Sequence, residues 1–130
     1  MRILIVDDDY VSRTKLKVIL SGHGDCDAVA NGQLAVAMFQ AAHEEKVPYD
    51  LITMDIAMPG MSGQDAVREI RSAESSLAVG GEEKVKILMI TAKKDMKNVA
   101  ESYYEGCEGY VTKPITPESI AGSLKEIGLA

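Results

Sequence analysis

Four apolar runs in this 130-residue chain each end on a residue fit for phosphoryl chemistry. Ile3-Leu4-Ile5-Val6 ends on Asp7-Asp8, Leu51 to Met54 on Asp55, Ile87 to Ile90 on Thr91, and Tyr110-Val111-Thr112 on Lys113. If the runs are parallel strands of one open sheet, their carboxyl ends share one edge, where open α/β sheets bind ligands. Three carboxylates, a hydroxyl and an ammonium then line one pocket. Unit charges about 4 Å apart repel by about 1 kcal/mol in water and about 4 kcal/mol at an effective dielectric of about 20, so the three acids need a cation. Mg²⁺ suits them, because it is a hard ion that binds few carboxylates and keeps waters for phosphate oxygens; Mn²⁺ is the alternative. No His or Cys sits at these strand ends, which argues against zinc or copper.

An Asp carboxylate can attack a phosphoryl group and become an acyl phosphate. The transferred group spreads charge over its equatorial oxygens, so the site needs in-line placement and neutralisation more than proton transfer. Lys113 would supply positive charge to one oxygen, the metal would hold another, and the Thr91 hydroxyl would donate to a third. Any one of the acids taken alone reads more simply as a helix cap, as Asp8 or Asp9 could be. Capping does not explain the whole set.

The elements that must position these residues alternate between strand-like and helix-like periods, which predicts a parallel sheet with helices on both faces. The first strand covers Arg2 to Val6 and leads to a helix from Tyr10 to Leu20, whose inner face is Val11, the Lys15 stem, Val18 and Ile19. A strand from Cys26 to Ala30 precedes a helix from Gln33 to Glu45, capped by Asn31, with Leu34, Met38, Phe39 and Ala42 on one face. The third strand, Tyr49 to Met54, is apolar nearly throughout, as expected of a central strand. Ser62 and Asp65 have capping-box spacing at the start of the next helix, which turns Ala66, Val67 and Ile70 inward. Ser75 to Glu83 reads as a surface loop, Lys84 to Ile90 as the fourth strand, Asp95 to Glu105 as a helix, and Gly109 to Thr112 as the fifth strand. Thr116-Pro117 opens the last helix with a cap and a proline at its first position. The expected fold class is α/β: a (βα)5 doubly wound, flavodoxin-like domain with a five-stranded parallel sheet of order 2-1-3-4-5, occupying residues 1–130 as one unit.

Composition narrows the function classes. A net charge of −6 lacks the basic footprint that nucleic-acid phosphates require, so no direct nucleic-acid contact is expected. No run approaches a membrane span and no signal-peptide layout opens the chain, so no membrane insertion and a cytoplasmic location are expected. Cys26 and Cys107 lack metal-ligand spacing and read as reduced thiols. His23 and His43 read as solvated. No heptad or exposed apolar stripe stands out, so a monomer is the default.

Taken in order, Ile3 to Asp9, Asp50 to Gly63 (Asp-Leu-Ile-Thr-Met-Asp-Ile-Ala-Met-Pro-Gly-Met-Ser-Gly), Ile90-Thr91-Ala92, and Gly109 to Pro114 resemble the receiver domain of two-component response regulators, across essentially the whole chain. The resemblance implies that Asp55 is the phosphoacceptor, served by a sensor histidine kinase or a histidine phosphotransfer protein. It implies Mg²⁺ ligated by Asp8, Asp55 and the backbone carbonyl of Ala57, with Asp7 acting mainly through water. Thr91, Lys113 and Ala92 would contact the phosphoryl group, and Thr91 and Tyr110 would form a switch pair. That switch would reshape a docking face made by the fourth helix, fifth strand and fifth helix. The Lys113-Pro114 bond would be cis. Ala57, two residues after Asp55, and Lys93, two after Thr91, flank the place where water would attack, and family members tune acyl-phosphate lifetime there. The chain ends after the fifth helix and so reads as a stand-alone receiver of chemotaxis or relay type, or one excised from a longer protein.

Two other readings compete. Asp7-Asp8-Asp9-Tyr10-Val11 also fits the D-x-D-x-[TV] pattern of haloacid-dehalogenase-type phosphatases, with Asp7 as nucleophile and Asp9 as acid-base. Such enzymes need a further acidic pair after the lysine, and only Glu118 and Glu126 follow Lys113, both on the last helix. The other reading is a phosphorylation-independent interaction domain on the same fold.

Overall fold

The Asp9 carboxylate accepts from the Ser12 N–H and so stops the first strand and starts the first helix within three residues. Comparable side-chain caps, from Asn31, Ser62, Asp95 and Thr116, open each of the other helices. The computed structural model describes residues 1–129. The elements are β1 (Arg2–Val6), α1 (Tyr10–Leu20), β2 (Asp25–Val29), α2 (Gly32–Glu44), β3 (Leu51–Met54), α3 (Gly63–Ser76), a 3₁₀ turn (Gly81–Glu83), β4 (Lys86–Thr91), α4 (Met96–Glu105), β5 (Gly109–Thr112) and α5 (Pro117–Glu126). All strands pair in parallel in the order β2-β1-β3-β4-β5, the expected doubly wound topology.

Period-2 alternation divides each central strand between two cores. Leu4, Val6, Ile52, Met54, Ile87 and Met89 face α2 and α3, where Phe39, Ala66, Val67 and Ile70 meet them. Ile3, Ile5, Leu51, Leu88, Ile90 and Val111 face α1 and α5, where Leu16, Leu20, Ile120 and Leu124 meet them. Each fully buried Leu or Ile removes enough apolar surface to stabilise the fold by about 1.5–3 kcal/mol. No helix of the described residues is long and apolar enough to cross a membrane.

The structure corrects several expectations. Helix α1 turns Leu16 and Leu20 inward, with Ile19 at the margin, while Val11 and Val18 are 71% and 73% exposed and Lys15 is exposed. Val11-Lys15-Val18 and Leu16-Leu20 lie about 150° apart on the helix, and the cap at Asp9 fixes which of them faces the sheet. In α2, Leu34 is exposed and Ala35 takes the inward place. Strand β2 starts and ends one residue early, β3 starts at Leu51, and β4 runs from Lys86 to Thr91, so Thr91 is the last strand residue. Tyr49, outside β3, is nevertheless buried, and its hydroxyl donates to Asp27 at 2.6 Å. The Ser62 cap is one-sided, because the Asp65 carboxylate pairs with Arg68. His43 is half-buried, edge-on to Phe39 at 4.8 Å between ring centroids. An exposed apolar stripe does exist, formed by Met96, Tyr103 and Tyr104 on α4. Both cysteines are free thiols, and the Lys113-Pro114 bond is cis.

Candidate functional site

Backbone pairing carries the strand-end residues past the last ladder rungs and fixes them at one edge. The Asp7 N–H donates to Val29 O at 3.2 Å, Asp55 N–H to Val6 O at 3.0 Å, and Lys113 N–H to Thr91 O at 2.8 Å. Gly63, at the start of α3, lies so close that a Cβ there would sit 1.9 Å from the Asp55 carbonyl oxygen, so the loop after the central strand can close only over glycine. Asp7, Asp8 and Asp55 meet as expected, with one carboxylate oxygen from each within 4.8 Å of the others. The Lys113 ammonium lies between two of them, 2.8 Å from Asp7 Oδ2 and 3.2 Å from Asp55 Oδ2.

The three acids are held differently. Asp7 is fully buried and committed, since its Oδ1 also accepts the Asp9 N–H at 2.9 Å. Asp55 is 7% exposed, and its Oδ1 accepts only the N–H of its own neighbour Ile56, at 2.7 Å. Asp8 is exposed, and among the described residues nothing donates to its carboxylate. Burial pushes the Asp7 carboxyl up, and the Asp55 charge adds to that, against the hydrogen bonds from Lys113 and Asp9. Burial also works to lower Lys113, but the bond to Asp7 and the charges of Asp55 and Asp7 together outweigh it and hold the ammonium above its ordinary value. One ammonium against three carboxylates leaves the cluster under-neutralised, and its free donors are all hard oxygen. That donor set fits a divalent hard cation.

The remaining expected residues lie around this cluster. Thr91 is buried at the end of β4, and its hydroxyl accepts the Lys93 N–H at 3.2 Å. Ala92 and Ala57 are exposed at the edge, so neither flanking loop is walled off from water. The Tyr110 ring is half-buried against the α2–α3 side of the core, and its hydroxyl donates to the Lys93 carbonyl at 2.7 Å. Lys93 therefore touches both members of the expected switch pair through its backbone. The lysines 93, 94 and 97 are exposed.

Two contacts here were not anticipated. Arg13 donates to the Asp7 carbonyl at 2.8 Å. Gln64, next to Gly63, donates across to Asn98 Oδ1 at 3.0 Å and approaches Ser102 Oγ at 3.4 Å, so α3 and α4 meet through a polar seam. Arg13 carries a weak signal, a basic residue one turn into the helix that follows the acids; Gln64 carries none. A cavity of about 540 Å³ lies at the opposite edge among His43, Lys46, Tyr49, Asp50, Glu83 and Lys86. Its mixed charges do not converge on any one ligand chemistry, and the acidic cluster remains the site.

The family model described as response regulator receiver domain matches residues 3–125. Over 125 residues the chain is 34% identical to the DNA-binding response regulator MtrA of Mycolicibacterium smegmatis, covering 95% of this chain and 49% of that protein. Among solved structures it is similar to chemotaxis protein CheY4 of Vibrio cholerae (TM-score 0.80, 26% identity, 97% of each chain). It is also similar to the receiver domain of the histidine kinase CKI1 from Arabidopsis thaliana, solved with Mg²⁺ and BeF₃⁻ (TM-score 0.83, 26% identity, 97% of this chain and 88% of that one). The chain belongs to the response regulator receiver family, a family of signalling switches. It spans about half the length of the curated relatives it matches. The phosphatase and interaction-domain readings are not favoured by these matches.

Proposed function

We propose that the chain, acting as one receiver unit over residues 1–130, accepts a phosphoryl group on Asp55 from a phosphohistidine of a sensor histidine kinase or phosphotransfer protein. The observation that carries the proposal is the Lys113 ammonium between Asp7 and Asp55, beside an exposed Asp8 to which no described residue donates. Asp8, Asp55 and the Ala57 carbonyl would hold Mg²⁺, or Mn²⁺ in its place, with Asp7 behind a bound water. The bound cation would neutralise phosphoryl oxygens and the attacking carboxylate. Lys113, which already lies 3.2 Å from Asp55 Oδ2, would pair with a second phosphoryl oxygen once that carboxylate is phosphorylated. The Thr91 hydroxyl leaves the Lys93 N–H to donate to a third, with the Ala92 backbone beside it.

Tyr110 follows from the same event, because Thr91 and Tyr110 both hold Lys93. A shift at Thr91 moves the β4–α4 loop and with it the face of α4, β5 and α5, which would dock a downstream protein. Autodephosphorylation by water would be set at Ala57 and Lys93. The unit would act as a cytoplasmic monomer in a chemotaxis or relay pathway.

The test is incubation with Mg²⁺ and acetyl phosphate, followed by mass spectrometry of wild type, Asp55→Asn and Asp7→Asn. Labelling should appear in wild type and vanish in Asp55→Asn. Labelling that persists in Asp55→Asn and disappears in Asp7→Asn would point to Asp7 as nucleophile and overturn the proposal. An unlabelled wild type would also overturn it.

A further inference from the structure

Arg13 is a cation beside three carboxylates that spends its hydrogen bond on a backbone carbonyl. Its Nη1 donates to Asp7 O at 2.8 Å, and among the described residues it makes no ion pair. Helical side chains lean toward the helix N-terminus, so a residue one turn into α1 reaches back over the cap to the end of β1. The exposed Tyr10 ring lies with its centroid 5.6 Å from the guanidinium carbon.

What this bond controls is Asp8. A peptide unit is planar, so a carbonyl oxygen held in place fixes the N and Cα of the next residue. Arg13 holds the Asp7–Asp8 peptide by its oxygen. The Asp8–Asp9 peptide is held by its N–H, which donates to Asp7 Oδ1 at 2.9 Å. Asp8 thus stands between two pinned planes, and its Cα–Cβ direction is set although no described residue donates a hydrogen bond to its exposed carboxylate.

We propose that Arg13 is a positioning residue of the metal site, aiming the Asp8 carboxylate at the cation through the Asp7 carbonyl. The inference rests on the reading of Asp7, Asp8 and Asp55 as a Mg²⁺ site. It makes a counterintuitive prediction. Removing a nearby positive charge should by itself tighten divalent-cation binding, whereas removing a positioning bond should weaken it.

The experiment measures Mn²⁺ binding by electron paramagnetic resonance, and Mg²⁺ by competition, in wild type, Arg13→Ala, Arg13→Gln and Asp8→Asn, with thermal unfolding of each. Arg13→Ala should weaken binding roughly tenfold, as losses of partners behind metal ligands do. Arg13→Gln, neutral but still able to donate to the carbonyl, should recover a measurable part of that loss and serves as the informative variant if Arg13→Ala folds poorly. Equal or tighter binding in both Arg13 variants makes the residue purely electrostatic and overturns the inference. A lowered melting temperature with unchanged affinity makes it purely structural and also overturns it. If Asp8→Asn weakens binding and the Arg13 variants do not, only this inference fails; if wild type binds no Mn²⁺, or Asp8→Asn binds like wild type, the metal-site reading fails with it.

Discussion

The two edges of the sheet each carry one cation between two carboxylates, and the two triads are built to opposite ends. At the carboxyl edge Lys113 lies between Asp7 and Asp55. At the amino edge Arg71 lies between Glu74 and Glu108, at 2.7 Å from each. The Arg71 triad is saturated. All five guanidinium N–H groups are used, on Glu74, Glu108 and the carbonyls of Val85 and Gly106. One oxygen of each acid accepts a further N–H, from Val85 at 2.8 Å and from Ile87 at 2.6 Å, and so serves the entry to β4. The Lys113 triad is unsaturated, with a compact point charge in place of a fork and a third carboxylate, Asp8, left over. Saturation suits a joint that ties α3, β4 and the α4–β5 turn together. Unsaturation suits a site that must accept a cation and then a phosphoryl group.

The largest expected effect tests the saturated triad. Arg71→Ala strands the Glu74 carboxylate, only 1% exposed, and should cost about 3–5 kcal/mol in urea unfolding, as breaking a buried ion pair does. The cost should be the same with and without Mg²⁺. A loss under about 1 kcal/mol, the range of surface pairs, would put the two triads on the same footing and break the contrast.

Lys113→Ala should cost less, about 1–3 kcal/mol in the absence of divalent cation, because Lys113 donates one hydrogen bond to each acid, two in all, where Arg71 uses every N–H it has. Added Mg²⁺ should shrink that cost, since the metal would replace the missing positive charge. Unfolding curves with and without Mg²⁺ for the two variants make the comparison direct. A Lys113→Ala penalty indifferent to Mg²⁺ would mean that the carboxyl-edge triad, too, is a structural joint.

The difference between the triads also explains what the sequence could reveal. Asp7, Asp8, Asp55, Thr91 and Lys113 are each the terminus of an apolar run, so strand periodicity and topology alone place them together. Arg71, Glu74 and Glu108 have no such marker. On α3 the first two look like ordinary surface charges at i,i+3 spacing, and Glu108 lies 37 residues beyond Arg71 in a turn. Their meeting depends on Gly106, whose φ of +117° turns the chain after α4 so that its carbonyl faces Arg71. The facing side of α1 was illegible for a related reason. Two apolar sets, Val11-Val18 and Leu16-Leu20, satisfy helical spacing equally, and only the capped turn at Asp9 decides between them.

The smallest effect concerns pH, and it separates a triad acid from the helix caps by sign and window. Burial, foremost, lifts the Glu108 carboxyl above its ordinary 4.5, assisted by the Glu74 charge and opposed by the Ile87 N–H, Arg71 and Lys86. An acid whose folded-state value is raised binds more protons folded than unfolded between the two values. Its stabilising contribution is complete below 4.5 and is lost as pH rises through the folded-state value. The exposed caps Asp9 and Asp95 work oppositely. Hydrogen bonds from Ser12 and Asn98 hold them below 3.8, so their contribution is lost only as pH falls under that value. Asp7 is raised as Glu108 is, so the quantity to read is the difference between wild type and Glu108→Gln, in which Asp7 cancels. Unfolding free energy just above pH 4.5 should fall with pH more steeply in wild type than in Glu108→Gln. Arg71→Ala, which removes the cation that restrains the rise, should stretch the falling limb to higher pH. Parallel curves for wild type and Glu108→Gln would mean that Glu108 is ionised in the fold as easily as in water, and that even the saturated triad places no strain on its acids.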